Sequence, residues 1–272
     1  MKQLRDRVAV VTGAASGIGR ALAVALANKG CDVALVDVDE EGLRETAARV
    51  ATSGRKVSSH VLSVADRSAM EALPEQVVAE HGRVHIVVNN AGVAVDMTFE
   101  EMSMDDLDWI VGVNFWGVVH GCKFFLPWLQ REDEAHIVNV SSLFGIIAVP
   151  RNSAYCATKF AVRGLTESIW SEISKQGIGL STVHPGGIQT NIVRSARTAA
   201  GADKDELVDA FDRLARTSPE KAAARIVRGI EKNQLRVRIA PETYLLDWLK
   251  RLFPTGIQTF IRARAQDVPG SR

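Results

Sequence analysis

Two residues able to do proton chemistry, Tyr155 and Lys159, stand four positions apart in the segment Ser-Ala-Tyr-Cys-Ala-Thr-Lys. On a helix, positions i and i+4 share one face, so the lysine ammonium can lie beside the tyrosine phenol. A free tyrosine has a pKa of about 10 and is a poor base at neutral pH. A nearby cation favours the phenolate and lowers that pKa. The pair is therefore predicted to work as a general acid/base near physiological pH.

A glycine-rich segment near the N-terminus is suited to hold phosphate groups. Gly13, Gly17 and Gly19 follow the apolar run Val8–Val11 and open a helical pattern. Glycine permits positive φ and lets the backbone approach a ligand closely. The first N–H groups of a helix, and the positive end of its dipole, favour a pyrophosphate at such a turn. The segment predicts a dinucleotide site; the alternative is a glycine-rich turn without a ligand.

An acidic residue, Asp37, ends the second apolar run, 24 residues after Gly13. A carboxylate about 20 residues beyond such a turn can hold the ribose hydroxyls of NAD, and it would repel the extra phosphate of NADP. Asp37 therefore favours NAD over NADP. In the alternative interpretation, Asp37 only starts a turn or caps the next helix.

The elements that must position these residues alternate along the chain, with seven short apolar runs separated by segments of helical periodicity. The runs are Val8–Val11, Val33–Val36, Val57–Leu62, Val84–Val88, His136–Val140, Gly179–Val183 and Leu235–Ile239. Strand–helix alternation of this kind predicts an α/β fold with a parallel sheet covered by helices on both faces. No linker divides the sequence, so residues 1–272 are interpreted as a single domain.

Further motifs follow in order: Asn89–Gly92 after an apolar run, then Asn114, then Pro185–Thr190. Together with the glycine turn and the tyrosine–lysine pair, this set resembles the short-chain dehydrogenase/reductase family over roughly residues 5–241. The resemblance implies an NAD(P)-dependent oxidoreductase with a Tyr-x-x-x-Lys active site. It also implies a Rossmann-type, doubly wound sheet of about seven strands, in the order 3-2-1-4-5-6-7.

The resemblance assigns catalytic roles to four residues: Asn114, Ser142, Tyr155 and Lys159. Ser142 would orient the substrate oxygen; Ser141 is its neighbouring alternative, but the thirteen-residue spacing to Tyr155 fits Ser142. Tyr155 would transfer the hydroxyl proton, and Lys159 would also hold the nicotinamide ribose. Asn114 stands at the position that kinks a helix and holds a water in a proton relay to the lysine.

The resemblance also implies a set of cofactor-binding positions along the chain. They are Gly13, Ser16, Gly17, Ile18, Gly19, Asp37, Ser63, Val64, Asn90, Ala91, Gly92, Tyr155, Lys159, Pro185, Gly186, Ile188 and Thr190. Asn89 would line the adenosine side. Ser63 stands where the family often has an aspartate on the adenine, and Asp66 is an expected helix N-cap. Relatives that use NADP usually carry a basic residue in the glycine turn or directly after Asp37; neither is present here, which again favours NAD.

The residues predicted to face the substrate are mostly apolar. They are Ser142, Phe144, Val149 and Ile192, with Leu143, Val93, Val95 and Val193 as further candidates. Arg151 and Arg194 are interpreted as surface charges, so no cation is placed to grip a carboxylate or phosphate. This favours a lipophilic secondary alcohol or ketone. The polar, helical segment 191–217 is predicted to form a lid over the site.

Two other functions compete with an NAD-dependent dehydrogenase. One is an NADPH-preferring carbonyl reductase, which cofactor preference would distinguish. The other is a non-catalytic dinucleotide-binding scaffold, which a broken catalytic tetrad would support. All four catalytic positions are filled here, so the scaffold is disfavoured. Fold alone does not decide among these functions.

Composition excludes several partners. The net charge of +1 gives no overall attraction to nucleic acid. Three cysteines without metal-ligand spacing fit a reducing compartment, and no metal site is expected. The first residues lack an apolar signal region, and no uninterrupted run of about 18 apolar residues predicts a membrane span. A cytoplasmic location is therefore expected.

Two long helical patterns, Asp105–Gln130 and Asn152–Gln176, are apolar on more than one side. In the resembled family the equivalent helices pair across a two-fold axis into a four-helix bundle. A homodimer or homotetramer is expected on that basis.

The C-terminal segment 242–272 departs from the family pattern and is interpreted as an amphipathic extension. Its apolar residues recur at helical spacing at Tyr244, Leu245, Trp248, Leu249 and Leu252. Such a stripe must be buried against something. Packing on the same subunit near the pocket is expected first, a partner subunit second and a membrane surface third.

Overall fold

Seven strands form one parallel sheet. The computed structural model of the chain describes residues 1–266. The strands are β1 (Val8–Thr12), β2 (Asp32–Asp37), β3 (Val57–Val61), β4 (Ile86–Asn89), β5 (Ala135–Val140), β6 (Ile178–Pro185) and β7 (Arg236–Ile239). Their order across the sheet is β3-β2-β1-β4-β5-β6-β7. This confirms the predicted fold class and the implied strand order, and every neighbouring pair is parallel.

Ten helices surround the sheet within the described residues. They are α1 (Gly17–Asn28), α2 (Glu40–Ala51), α3 (Arg67–His81), α4 (Met104–Val111), α5 (Gly117–Leu129), α6 (Ser153–Ile173), α7 (Lys204–Leu214), α8 (Pro219–Glu231), α9 (Pro241–Leu252) and α10 (Gly256–Gln266). A π-helical turn, Gly112–Trp116, joins α4 to α5. Helix starts follow ordinary capping chemistry: Asp39 accepts from Gly42 N at the start of α2, and Asp66 accepts from Ala69 N at the start of α3.

The core is split into two layers because successive strand residues point to opposite faces of the sheet. On β1, Ala9 and Val11 pack with α1, α2 and α8, while Val8 and Val10 pack with α3, α5 and α6. All five residues of β1 are buried. A central parallel strand covered on both faces therefore appears in the sequence as a continuous apolar run.

The segment 191–217 is less helical than expected. It begins with turns, contributes Arg197–Thr198 to a short parallel ribbon with Val95–Asp96, and becomes helical only in α7. The ribbon ties this segment to the loop that follows β4. Gly201, with φ of +78°, lies in the turn that separates the ribbon from α7.

The stretch Met104–Leu129, which contains α4, the π turn and α5, is long and apolar enough to cross a membrane by length and composition. It instead packs on α3 and β4, with Phe125 and Leu129 fully buried in the second core layer. Core helices of water-soluble domains pass the same compositional test, so this stretch is explained by the fold.

The C-terminal extension packs on the same subunit, as expected, but only part of the predicted apolar stripe is buried. Leu246 and Leu249 on α9, with Ile257 and Ile261 on α10, pack against residues 143–149. The other apolar residues of the predicted stripe do not: they are exposed, and they are Tyr244, Leu245, Trp248 and Leu252. Packing on the same subunit therefore buries only one side of α9. Residues 267–272 of the predicted extension lie outside the described residues.

Candidate active site

The carboxyl ends of β1, β4, β5 and β6 meet at one edge of the sheet, next to the point where the strand order reverses between β1 and β4. In open parallel α/β sheets ligands bind at such a point. The loops that follow these strands carry most of the sequence-predicted site residues. Asp37 ends β2, which extends the same edge on the other side of β1.

The glycine turn after β1 needs glycine for two separate reasons. Gly13 and Gly17 adopt φ of +66° and +52°, which side chains disfavour. A Cβ on Gly19 would lie 1.9 Å from the Gly13 carbonyl oxygen. Ser16 precedes α1 in extended conformation, is exposed, and its side chain does not cap the helix. The first N–H groups of α1 therefore face an open turn, which suits an anionic group.

Asn90 holds this turn in place. Its side-chain Nδ2 donates to the carbonyl oxygens of Thr12 and Gly13, at 3.0 and 3.2 Å. In return, the Thr12 hydroxyl accepts from the backbone N–H groups of Asn90 and Ala91, both at 3.0 Å. Thr12 was not predicted as a site residue; its hydroxyl locks the loop after β4 to the glycine turn.

Asn89, by contrast, does not reach the site. Its side chain is buried and donates to the Asn139 side chain at 2.8 Å, inside a polar cluster between β4, β5 and α6. The contact with adenosine that the resemblance implied for Asn89 is thus replaced by a core hydrogen bond. Successive strand residues point to opposite faces of the sheet, and Asn89 points to the face that α5 and α6 cover.

Asp37 lies at the rim of the glycine turn. One carboxylate oxygen accepts from Ala15 N at 3.0 Å, and the other accepts from Val38 N at 2.8 Å. Asp39, not Asp37, caps α2. The capping role is therefore taken by its neighbour. The other half of the alternative is confirmed, because Asp37 also accepts from Asp39 N at 3.2 Å and so starts a turn. The Asp37 carboxylate is at the same time held beside the glycine turn.

Of the three residues predicted to matter after β3, one is half-buried, one is buried in the core and one caps a helix. Ser63 is half-buried, and its hydroxyl accepts from Ala65 N at 3.3 Å. Val64 is buried beneath Gly117, and its carbonyl oxygen bonds to His120 at 3.0 Å. Asp66 caps α3, as expected.

Tyr155 and Lys159 lie one turn apart on α6, and the Lys159 Nζ is 5.6 Å from the centre of the tyrosine ring. Lys159 is buried, and its ammonium donates to the Val140 carbonyl oxygen at 3.0 Å, at the end of β5. The shared helix face predicted from their spacing is confirmed.

Ser142 follows β5 and faces the same region, while Ser141 is excluded from it. The Ser141 hydroxyl is buried and donates to the Lys159 carbonyl at 2.7 Å, so it serves to fix α6. The Ser142 hydroxyl accepts from Phe144 N at 3.1 Å. Buried His184, at the end of β6, bonds through Nδ1 to the Ser142 carbonyl oxygen at 2.9 Å and so holds the serine loop.

The protonation of the pair differs from the sequence expectation. Burial raises the pKa of Tyr155 to about 12, although the Ser142 side chain acts to lower it. Burial also lowers the pKa of Lys159 to about 8. The lysine does not depress the tyrosine pKa in this arrangement because its ammonium is directed at a backbone carbonyl rather than at the phenol oxygen.

Asn114 lies in the π turn, the helix distortion that the resemblance implied. Its Oδ1 accepts from Val93 N at 2.8 Å and its Nδ2 donates to the Val93 carbonyl at 2.9 Å. A Cβ on Gly92 would lie 3.3 Å from Asn114 Oδ1 and 3.4 Å from Lys159 Nζ. Gly92, Asn114 and Lys159 therefore converge on one small space, and only glycine leaves it open.

The turn after β6 brings Thr190 to the glycine turn, where its methyl group would lie 3.1 Å from a Cβ on Gly17. Pro185 is the last residue of β6, and Gly186 N donates to the Ile239 carbonyl at 3.2 Å. The Ile188 side chain is buried in the first core layer, beside partly buried Ile18. Only the backbone of Ile188 is thus available to a ligand.

Two apolar residues predicted to face the substrate, Phe144 and Val149, are backed by the C-terminal helices. The Phe144 ring meets the Tyr155 ring edge-on, with centroids 6.2 Å apart. Phe144 and Val149 belong to the cluster that α9 and α10 cover, and Gln258 donates to the Ala148 carbonyl at 3.0 Å. The expected packing of the C-terminal segment near the pocket is therefore confirmed, although helical spacing alone did not identify residues 143–149 as its partner.

The two arginines near the site are engaged elsewhere. Arg151 binds Asp96 with N–O distances of 3.2 and 3.3 Å and is half-buried. Arg194 binds Asp212 across the segment 191–217 at 2.5 Å. Ile192, in the turn that begins this segment, is half-buried. Neither arginine is therefore free to bind an anionic substrate.

Comparison with known proteins gives consistent matches. The sequence model of the short chain dehydrogenase family matches residues 7–201. The Mycobacterium tuberculosis protein named "Putative oxidoreductase SadH" is 45% identical over 266 residues, which cover 97% of this chain and 96% of SadH. The 3-oxoacyl-(acyl-carrier-protein) reductase FabG of Thermotoga maritima is 35% identical over 188 residues, 69% of this chain and 76% of FabG. A crystal structure of a short-chain dehydrogenase/reductase from Burkholderia phymatum in complex with NAD aligns with a TM-score of 0.86 at 28% identity, covering 95% of this chain and 97% of that one.

Proposed function

The chain belongs to the short-chain dehydrogenase family of oxidoreductases, and on that premise we propose that it transfers a hydride between NAD(H) and a lipophilic secondary alcohol or its ketone. The observation that carries the proposal is the meeting of Tyr155, Lys159 and Ser142 beside the glycine turn. A proton donor, a cation and an orienting hydroxyl then share the sheet edge with a phosphate-binding turn.

Proton transfer is the part of the reaction that falls to Tyr155. In the direction of ketone reduction, its hydroxyl donates a proton to the substrate oxygen; in the direction of oxidation, the phenolate accepts it. The phenol is neutral near pH 7, and burial raises its pKa further, so the donor form is already present. The Ser142 hydroxyl holds the substrate oxygen and favours the phenolate that forms, because the Ser142 side chain acts to lower the Tyr155 pKa.

The residues of the glycine turn fit a dinucleotide. Their missing Cβ atoms let the turn pack closely on Asn90, Ala91 and Thr190, and the α1 N-terminus is left to face a pyrophosphate. Asp37 would hold the adenosine ribose, and Lys159 the nicotinamide ribose. NAD, when bound, supplies or accepts the hydride. The protein contributes the positions and the proton.

NAD is proposed over NADP because of the residues at the end of β2. The Asp37 carboxylate stands where an added phosphate would be repelled, and Val38, 65% exposed, offers it no charge. Replacing Asp37 with Ser and Val38 with Arg should shift preference toward NADP, since a charge-assisted contact with the phosphate replaces a repulsion. Asp39→Ser is the matched control: it removes an adjacent carboxylate but keeps a capping side chain, and should leave the preference unchanged. A wild-type preference for NADPH would contradict the assignment.

A lipophilic substrate is proposed from the apolar wall at the reaction site. Phe144 and Val149 form this wall, with Leu249 and Ile257 packed in the same cluster. The segment 191–217 is proposed as the lid, tied to the loop after β4 by the ribbon at residues 197–198.

A dimer through α5 and α6 is also proposed. The exposed aromatic residues Trp116, Phe160 and Trp170 lie on the helical stretches expected to pair. Light scattering of the purified protein at micromolar concentration should give at least twice the chain mass.

The reaction class is tested by a panel of alcohols and ketones, each assayed with NAD(H) and NADP(H) by the absorbance of the reduced nicotinamide. The expected result is turnover of apolar secondary alcohols or ketones with NAD(H), lost in Tyr155→Phe. Turnover unaffected by that substitution would remove Tyr155 from the mechanism. Cofactor binding without turnover of any compound would favour the scaffold function.

A further inference from the structure

Helix α9 presents large apolar side chains to solvent. Tyr244, Trp248 and Leu252 recur every four residues with exposed fractions of 39%, 61% and 60%, and Leu245 beside them is 61% exposed. Phe253 and Phe260, directly beyond α9 and on α10, are each 59% exposed. We refer to these six residues as the outer apolar residues. Clustered exposure of this kind marks a surface that another body covers.

The orientation of α9 is fixed from its other side. Leu246 and Leu249 pack into the cluster beside the substrate wall, and buried Asp247 binds Arg236 and Arg238, each at 3.1 Å. The outer apolar residues are therefore turned outward by a helix that is already anchored on the fold.

Four of the outer apolar residues lie in a segment, residues 248–264, whose charged residues are all basic. Within residues 248–264, all of which the structure describes, there are four basic residues and no acidic one. They are Lys250, Arg251, Arg262 and Arg264. The whole chain carries only +1, so this is a local excess of positive charge. Aromatic and aliphatic side chains bordered by Lys and Arg are the pattern of a segment that lies in a membrane interface.

We propose that α9 and α10 dock this protein on the surface of an anionic lipid bilayer. Trp248, Leu252 and Phe253 enter the boundary between headgroups and acyl chains, while the basic side chains meet lipid phosphates. A second copy of the chain suits the surface less well. A two-fold axis places the same patch on both partners, so it would bring the two sets of basic residues together. The proposal does not depend on the proposed reaction.

The test is flotation of the full-length protein with vesicles of phosphatidylcholine alone and of phosphatidylcholine mixed equally with phosphatidylglycerol. Wild type should float with the anionic vesicles and not with the neutral ones. Trp248→Ser with Leu252→Ser should abolish flotation. Arg262→Gln with Arg264→Gln should weaken partitioning by about five-fold per residue, because each surface cation contributes about 1 kcal/mol at an anionic membrane.

The matched control is Phe99→Ser with Leu214→Ser, which removes two apolar side chains of similar exposure elsewhere on the surface, 71% and 74%. It should float as wild type does. All substituted side chains are exposed, and unchanged thermal melting would verify that each variant is folded. Absence of wild-type flotation with anionic vesicles would overturn the proposal. So would a drop in the mass of the lipid-free assembly caused by the Trp248/Leu252 variant, since it would identify a second copy as the occupant.

Discussion

Helices α6 and α9 each bury one charged side chain, but only the one on α9 has partners of opposite charge. On α6, Lys159 is 3% exposed, and its ammonium is directed at the Val140 carbonyl, with no ion pair among residues 1–266. On α9, Asp247 is 2% exposed and forms ion pairs with Arg236, Arg238 and Arg251 at 3.1–3.2 Å.

The surroundings decide the protonation of each group. Burial without a counter-ion lowers the pKa of Lys159 to about 8. Burial also pushes the pKa of Asp247 upward, but Arg236 and then Arg251 outweigh it, and the net pKa falls below the usual value. A buried charge left without partners is poised to exchange protons, whereas one surrounded by partners stabilises the structure. On this physical ground we expect Lys159 to serve the reaction and Asp247 to stabilise the fold.

The strongest test of the catalytic role proposed for the residues on α6 is Tyr155→Phe. Loss of the proton donor should lower kcat by about 10²–10⁴-fold, the usual contribution of general acid–base catalysis. NADH affinity should change little, because the phenol contributes little to cofactor binding and phenylalanine keeps the ring packed on Phe144. Steady-state kinetics and NADH fluorescence titration measure the two quantities. Activity within a few-fold of wild type would contradict the assigned role.

Lys159→Met should separate function from stability. We expect loss of turnover and weaker NADH binding, with a Tm equal to or above that of wild type, because the substitution removes a buried charge that lacks a counter-ion. Calorimetry and kinetics on the same preparation measure both effects. A Tm several degrees lower would mean that Lys159, like Asp247, holds the fold together.

Asp247→Asn should give the opposite result. Removing the shared carboxylate leaves Arg236 and Arg238 without their common partner, and we expect a loss of about 3 kcal/mol in the free energy of unfolding. Turnover per folded molecule should stay within a few-fold of wild type. Arg251→Gln is the control, since its largely exposed side chain should contribute below about 1 kcal/mol. Equal losses in the two variants would show that burial of Asp247 has no special effect.

The smallest expected effect is in the pH dependence of stability. The Lys159 pKa is about 8 in the folded state and about 10.4 unfolded, so the unfolded chain binds more protons between these values. Stability should therefore rise with pH in this window. Between pH 7 and pH 9.5 the wild type should gain about 2 kcal/mol relative to Lys159→Met. Urea denaturation of both proteins at the two pH values measures it, and parallel pH profiles would contradict the shift.

Much of the fold follows from local patterns in the chain. The runs located all seven strands. A central strand such as β1 is continuously apolar because both of its faces are buried. The edge strands β3 and β7 instead carry polar residues such as Ser59 and Arg236 on a less buried face. The glycine turn was located because Gly13 and Gly17 have conformations that side chains resist. The pairing of Tyr155 with Lys159 needed only helical spacing. Local patterns did not predict the order of the strands in the sheet, which was implied only by the family resemblance.

The rest depends on groups that are distant in the sequence. Ser141 is excluded from the site because its hydroxyl reaches the Lys159 carbonyl, and Asn89 because it bonds to Asn139. The direction of the Tyr155 pKa is set by its enclosure rather than by the lysine one turn away.

The apolar stripe of α9 was predicted from its spacing and was expected to be buried, but the spacing did not show which of its residues would be covered. Helical periodicity places side chains on a face, whereas burial, hydrogen-bond partners and pKa depend on what packs against that face. Leu249 meets the cluster beside the substrate wall while Trp248, one residue away, meets solvent. Only the folded chain brings residues 143–149 to one side of this helix and leaves the other side open.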